Sequence, residues 1–154
     1  MRERDPKQIT WDRRFLNLAR EVSAWSKDPS TGVGCILVDA DRRVVSLGFN
    51  GLPQRVPDTS FWLQDRDIKH QVILHAENNA LLFAARPTHG CTCYTWPLPP
   101  CAHCAALLIQ AGITDVVAPL AVSEDLERRW GASLDLTRDL FREADVDLWG
   151  YPDA

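Results

Sequence analysis

Residues 91–118 read CTCYTWPLPPCAHCAALLIQAGITDVVA. The stretch opens on a short run of β-forming residues at 91–96 and breaks at a proline-rich segment. It continues as an apolar helical run at 101–110, stops at Gly112, and returns to β-forming residues at 114–118. A strand, a core helix and a second strand in so short a span place the chain in the α/β class.

The flanks extend that pattern. At 11–25 the apolar residues Trp11, Phe15, Leu18, Ala19, Val22 and Trp25 recur at spacings of three and four, which predicts an amphipathic helix ended by Asp28-Pro29. Residues 33–38 and 44–49 read as two antiparallel strands joined by a turn at Asp39-Ala40-Asp41. The segment 50–69, with Pro53 and Pro57, reads as one long loop of the kind that carries function. Residues 75–85 predict a helix closed by Arg86-Pro87, 123–130 and 136–144 two further helices, and 146–149 a last strand. After the first helix the order is β-β-α-β-α-β-α-β. It predicts a three-layer α/β/α sandwich around a five-stranded mixed sheet, one domain over 1–154 with a flexible tail from about 150.

Composition agrees. In 154 residues, 45% hydrophobic and 25% charged, there is enough apolar surface for one core and too little chain for two full domains. Seventeen basic against twenty-one acidic residues leave a net charge of −4, so no overall field favours a polymeric nucleic acid, while one or two local cations still allow a small anion. The charged start MRERDPKQITWDRR and the lack of a long apolar run predict a soluble, cytoplasmic protein with no membrane span. Five cysteines, an odd number, argue against a disulfide framework and for metal binding or reactive thiols.

Two pieces carry chemistry: His75-Ala76-Glu77 at the start of one helix and Pro100-Cys101-Ala102-His103-Cys104 at the start of another. Cys101 and Cys104, three apart, put both sulfurs on one side of a helical turn, and the helix N-terminus favours the Cys101 thiolate. With His75 they form a three-ligand zinc set that leaves the fourth tetrahedral position to water, as catalytic sites do. Two thiolates cancel the formal charge of the ion and weaken its hold on that water's proton, so a nearby base gains value, and Glu77 is placed to be one. Taken alone, Cys-x-x-Cys also fits a redox pair, or a closed structural zinc site completed by Cys91, Cys93 or His103. Cys35, Cys91 and Cys93 read as core residues, with a second metal at Cys91 and Cys93 as the minor reading.

The paired signature H-x-E and P-C-x-x-C is that of the zinc nucleobase deaminases. From Trp11 to about Leu120 the chain resembles the deoxycytidylate deaminase branch of the cytidine deaminase superfamily. The resemblance runs in order through Trp11-Asp12, Ser26-Lys27-Asp28-Pro29, Val33-Gly34, Gly48-Phe49-Asn50-Gly51 with Pro53, His75-Ala76-Glu77 with Asn79-Ala80, and Ile109-Gln110-Ala111-Gly112. It implies one catalytic Zn2+ per chain and hydrolysis of dCMP to dUMP and ammonia, a zinc-activated hydroxide attacking C4 while Glu77 shuttles the proton. It also implies a small deoxynucleotide as partner and a homo-oligomer, hexamer or dimer. Ala76 and Pro99 are implied to touch the base through their backbone groups, and Asn50 to hold the sugar, although Asn50-Gly51 would serve equally as a turn.

A phosphate needs charged donors. Lys27, Arg55, Arg66 and Lys69 are the candidates, with Lys27 first because it lies in the matching Ser-Lys-Asp-Pro segment. Trp62 and Trp96 are candidates for the pocket or a subunit interface. The alternatives are a deaminase of another aminated base, including a tRNA adenosine, and a zinc-stabilised nucleotide-binding module without catalysis. Two places depart from the family pattern. The stretch YTWPLPP at 94–100 carries one residue more than usual, predicting a bulge and an altered pocket wall. Arg55 stands where a small residue, commonly Gly, is usual, which puts the nucleotide-regulatory site associated with that loop in question.

Overall fold

The computed structural model describes residues 3–151. Five strands, β1 (Gly34–Val38), β2 (Val44–Phe49), β3 (Thr92–Trp96), β4 (Asp115–Pro119) and β5 (Asp147–Tyr151), form one sheet in the order β2-β1-β3-β4-β5. β1 runs antiparallel to β2 and β3, and β3, β4 and β5 run parallel. Helix α1 (Pro6–Ser23) covers one face, packing Phe15, Leu16, Ala19 and Val22 on Ile36, Val38, Tyr94 and Val117. Helices α4 (Ala76–Leu82), α5 (Ala102–Gln110) and α6 (Glu124–Glu143) cover the other, where Ala76, Ala80, Ala105, Leu108 and Phe141 meet Cys35, Leu37, Cys93 and Val116. This is the three-layer α/β/α sandwich with a mixed five-stranded sheet that the sequence predicts.

Five places differ from expectation. The segment 50–69 is no continuous loop: it holds α2 (Ser60–Leu63) and begins α3 (Arg66–Val72). Both are too short to show a helical period, and the remaining signal is Asp65, whose carboxylate caps α3 by accepting from Asp67 N and Ile68 N. The helices expected at 123–130 and 136–144 are one, α6, because Leu126, Leu134, Thr137 and Phe141 keep a single buried face through Gly131. An interior glycine costs about 1 kcal/mol relative to alanine, less than that face gains. Helix α1 starts at Pro6, under an Asp5 cap, and ends at Ser23, ahead of Asp28-Pro29. No bulge interrupts β3, which pairs with β1 in unbroken register from Thr92 to Trp96. The strand ends at the cis Trp96–Pro97 bond, and Thr95 Oγ1 donates 2.9 Å to Leu98 O across the turn that follows. Gly150 and Tyr151 belong to β5, and 152–154 lie outside the described residues. Arg55 has a φ of 70°, a left-handed conformation that accounts for the small residue usual there.

A buried carboxylate ties α1 to the sheet. Asp12 is fully buried and accepts from Tyr94 Oη at 2.7 Å, Tyr151 Oη at 2.7 Å, Gln8 Nε2 at 2.9 Å and Arg4 Nε at 2.8 Å. Burial, then the bond to Asp12, pushes Tyr151 up to about 12. Asp12→Ala would leave the buried Tyr94 hydroxyl without its acceptor and Arg4 with Asp115 alone, and a urea titration should show about 3 kcal/mol lost. A tyrosine pKa raised on folding stabilises fully below the unfolded value of about 10 and loses that contribution as pH rises through the folded one. The melting temperature should therefore fall between about pH 10 and 12, less steeply in Tyr151→Phe.

Candidate metal and active site

The site lies beyond the carboxyl end of β3, where open α/β sheets place ligands. A bridge between Gly51 and Leu74 closes the excursion that carries α2 and α3, with Gly51 N to Leu74 O at 3.0 Å and Leu74 N to Gly51 O at 2.8 Å. His75 follows at once as the cap residue of α4. Cys101 is the cap residue of α5, and Cys104 lies one turn in. His75 Nδ1 stands 3.5 Å from Cys101 Sγ and 3.2 Å from Cys104 Sγ. Zinc bonds of about 2.0–2.1 Å to nitrogen and 2.3 Å to sulfur, at tetrahedral angles, require an N-to-S separation of roughly 3.5 Å, so the three donors fit zinc. They are the one such group of metal-binding side chains among the described residues. Cys91 and Cys93 are buried in the core, with Cys93 Sγ 3.5 Å from Cys35 Sγ.

The electrostatics follow from burial and proximity. The bond from Cys104, then the one to His75, holds the Cys101 thiol down at about 4, whereas the same bond to Cys101 pushes Cys104 up. Cys101 therefore carries the thiolate, and metal binding displaces the Cys104 proton. The bond to Cys101 raises His75, and burial raises Glu77. No lysine or arginine pairs with Glu77 among the described residues.

A cavity of about 850 Å3, counting its open mouth, is lined by His75, Ala76, Glu77, Pro99, Cys101 and Asn50 from the sequence-derived set. Asn50 arrives with its amide engaged: Oδ1 accepts from Val33 N at 2.8 Å and Nδ2 donates to Thr31 O at 2.9 Å, fixing the loop that forms one wall. Lys27 is not in the lining. Its side chain is 74% exposed and pairs with Asp58 at 2.8 Å. The neighbouring Asp28 turns inward instead and binds Lys69 Nζ at 3.0 Å, a lysine only 2% exposed. Trp62 stacks edge-on with Phe61 and Trp96 lies under Arg20, both away from the cavity. Arg129 and Trp130 of α6 also line it, Trp130 edge-on to the His75 ring at 6.1 Å. No local pattern in the sequence links α6 to His75, so sequence reasoning missed both.

A family model described as the cytidine and deoxycytidylate deaminase zinc-binding region matches residues 9–120. A relative from Aliivibrio fischeri described as "uncharacterized deaminase in luxG 3'region" is 42% identical over 142 residues, 92% of this chain and 94% of the relative. The deoxycytidylate deaminase of Mus musculus is 33% identical over 132 residues, 82% of this chain and 74% of the mouse protein. The solved dCMP deaminase of cyanophage S-TIM5, in complex with dCMP and dUMP, superposes with a TM-score of 0.71 over 97% of this chain and 100% of that one, at 20% identity, a likeness of fold. Elemental analysis of the purified protein should find one zinc per chain. His75→Ala and Cys104→Ala should each lose the ion to a chelator that leaves the parent loaded.

Proposed function

The chain belongs to the cytidine and deoxycytidylate deaminase zinc-binding family, and from that premise we propose that it hydrolyses dCMP to dUMP and ammonia at the centre formed by His75, Cys101 and Cys104. The observation that carries this reading is Glu77, a buried carboxyl without a cationic partner on the wall of the cavity that holds the metal ligands. A structural metal site has no use for a non-ligand carboxylate there.

Zinc in this set supplies a Lewis acid that polarises the attacking water. Glu77 takes the proton of that water as its oxygen adds to C4, and hands it to N3. A further transfer through Glu77 places a proton on the exocyclic amine, which leaves as ammonia while C4 keeps the oxygen as a carbonyl. Desolvation raises Glu77, which suits a group that must hold a proton between two transfers. The Ala76 N–H opens α4 and has no acceptor within the helix, so it is free for the base. Pro99 can offer only its carbonyl, to the departing amine. Asn50 retains one lone pair on Oδ1 for a sugar hydroxyl, beyond its work on the 28–33 loop.

The substrate is a small nucleotide. No helix among the described residues is long and apolar enough to cross a membrane, and five free thiols fit the reducing cytoplasm. A homo-oligomer is supported by exposed Trp25, Phe49, Leu82 and Phe83, for Trp25 packs edge-on to Phe49 and Asn79 of α4 donates to Phe49 O.

Ammonia release by zinc-replete protein, measured with dCMP beside deoxycytidine, CMP, dCTP and a tRNA, should be fastest with dCMP. Silence toward dCMP alongside turnover of another substrate would overturn the reading. Glu77→Gln should keep its zinc and lose roughly 100- to 10,000-fold in kcat.

A further inference from the structure

Helix α6 lies wholly beyond residues 9–120 that match the family, yet two of its consecutive side chains, Arg129 and Trp130, line the cavity. The Trp130 ring stands at 87° to the His75 ring, which sets this turn of α6 against the metal centre. The Arg129 guanidinium is fixed from two sides. Nε donates to Asp125 Oδ2 at 2.9 Å, and Nη2 donates to Thr31 Oγ1 at 2.9 Å while lying 2.8 Å from Asp125 Oδ2. No described residue takes Nη1, so part of a rigid, planar donor fork stays free for the oxygens of an anion.

Charge singles out the same residue. The lining contains two permanent cations, Lys69 and Arg129. Lys69 is spent internally, donating to Asp28 at 3.0 Å and to Ser30 Oγ at 2.9 Å. The partner of Arg129 is different in kind: Asp125 lies outside the lining, is 58% exposed and is shared with Arg128 at 3.1 Å. Two arginines around one carboxylate leave a net positive charge beside the cavity.

We propose that Arg129 reads the phosphate monoester of the substrate and so selects nucleotide over nucleoside, an inference that rests on the cavity's taking a cytosine nucleotide. The test combines binding with turnover on the zinc-loaded protein. By calorimetry the parent binds dUMP more tightly than deoxyuridine. Arg129→Gln weakens dUMP roughly 10- to 100-fold, the range of a lost charge-assisted hydrogen bond, and leaves deoxyuridine unchanged. In turnover the KM for dCMP rises by the same factor, kcat is kept, and deoxycytidine is processed as before. Arg128→Gln removes an equal charge outside the cavity, weakens dUMP far less than Arg129→Gln does, and leaves deoxyuridine unchanged. Arg129→Lys, which keeps the charge and loses the fork, gives a smaller loss of the same selectivity and carries the test should Arg129→Gln misfold. The proposal is overturned if the parent shows no preference for dUMP, if Arg129→Gln weakens both ligands equally or neither, or if Arg128→Gln reproduces its effect. Loss of dUMP preference in Arg129→Gln without any dCMP deamination by the parent would sink the deaminase reading and leave Arg129 standing. Deamination of dCMP with selectivity intact in Arg129→Gln would do the reverse.

Discussion

Helix α4 reaches its position because Gly48 has no side chain. A Cβ there would lie 2.4 Å from Ala76 O and 2.5 Å from Ala80 N, backbone atoms that cannot move aside alone. Ala76 and Ala80 continue this close approach with small side chains, both fully buried. The depth at which α4 lies on the sheet fixes the height of His75 and Glu77 relative to Cys101, which reaches the same place from the other side on α5. Metal donors converging within 4.8 Å from two helices need that placement to a fraction of an ångström. The ordering of the site is thus a packing effect before it is an electrostatic one.

The charges are then arranged in two separate places. Around Asp12, in the second turn of α1, the buried Tyr94, the half-buried Tyr151, Gln8 and Arg4 satisfy a carboxylate, and the result is adhesion between α1 and the sheet. Around His75, the carboxyl of Glu77 is buried without a lysine or arginine, beside two cysteine sulfurs drawn close to one imidazole. Each of these features is unfavourable in isolation. An ion of charge +2 resolves them together, taking both sulfurs as thiolates and setting a cation beside Glu77. Metal binding at this end of the molecule would add its free energy to the stability of the fold.

Much of this was legible in the sequence, and what was hidden has physical reasons. The long helices showed themselves through period, because each buries one face on the sheet, and the central strands, buried on both faces, through β-forming composition and punctuation. The metal ligands showed themselves through spacing, since Cys-x-x-Cys and a helix-opening His constrain geometry locally. What escaped depends on contacts between distant segments. Lys27 and Asp28 are adjacent, and nothing in their order says that the acid turns inward to a buried lysine forty-one positions on while the base stays in solvent. The unity of α6 was masked by Gly131, a local penalty that a continuous buried stripe outweighs. Arg129 and Trp130 look like the outer turn of a solvated helix until tertiary packing brings them to the cavity.

That last case bears on how such a site acquires its selectivity. The three side chains that could hold a metal ion stand at the starts of α4 and α5 and in the first turn of α5, where their donor atoms lie within 4.8 Å of one another. Helix α6 carries none of the three. It is anchored in the core by Leu134, Thr137 and Phe141 toward its far end, with Thr137 Oγ1 donating 2.8 Å to Pro100 O. Its first turns lie over the cavity with Leu126 buried and Trp130 packed on the Leu98–Leu126–Leu134 cluster and edge-on to His75, so of the two lining residues it is Arg129, paired only with Asp125 and Thr31, that is free of both metal ligands and core. A fold that separates its reactive atoms from its recognising ones in this way can hold one reaction constant while changing what it acts upon.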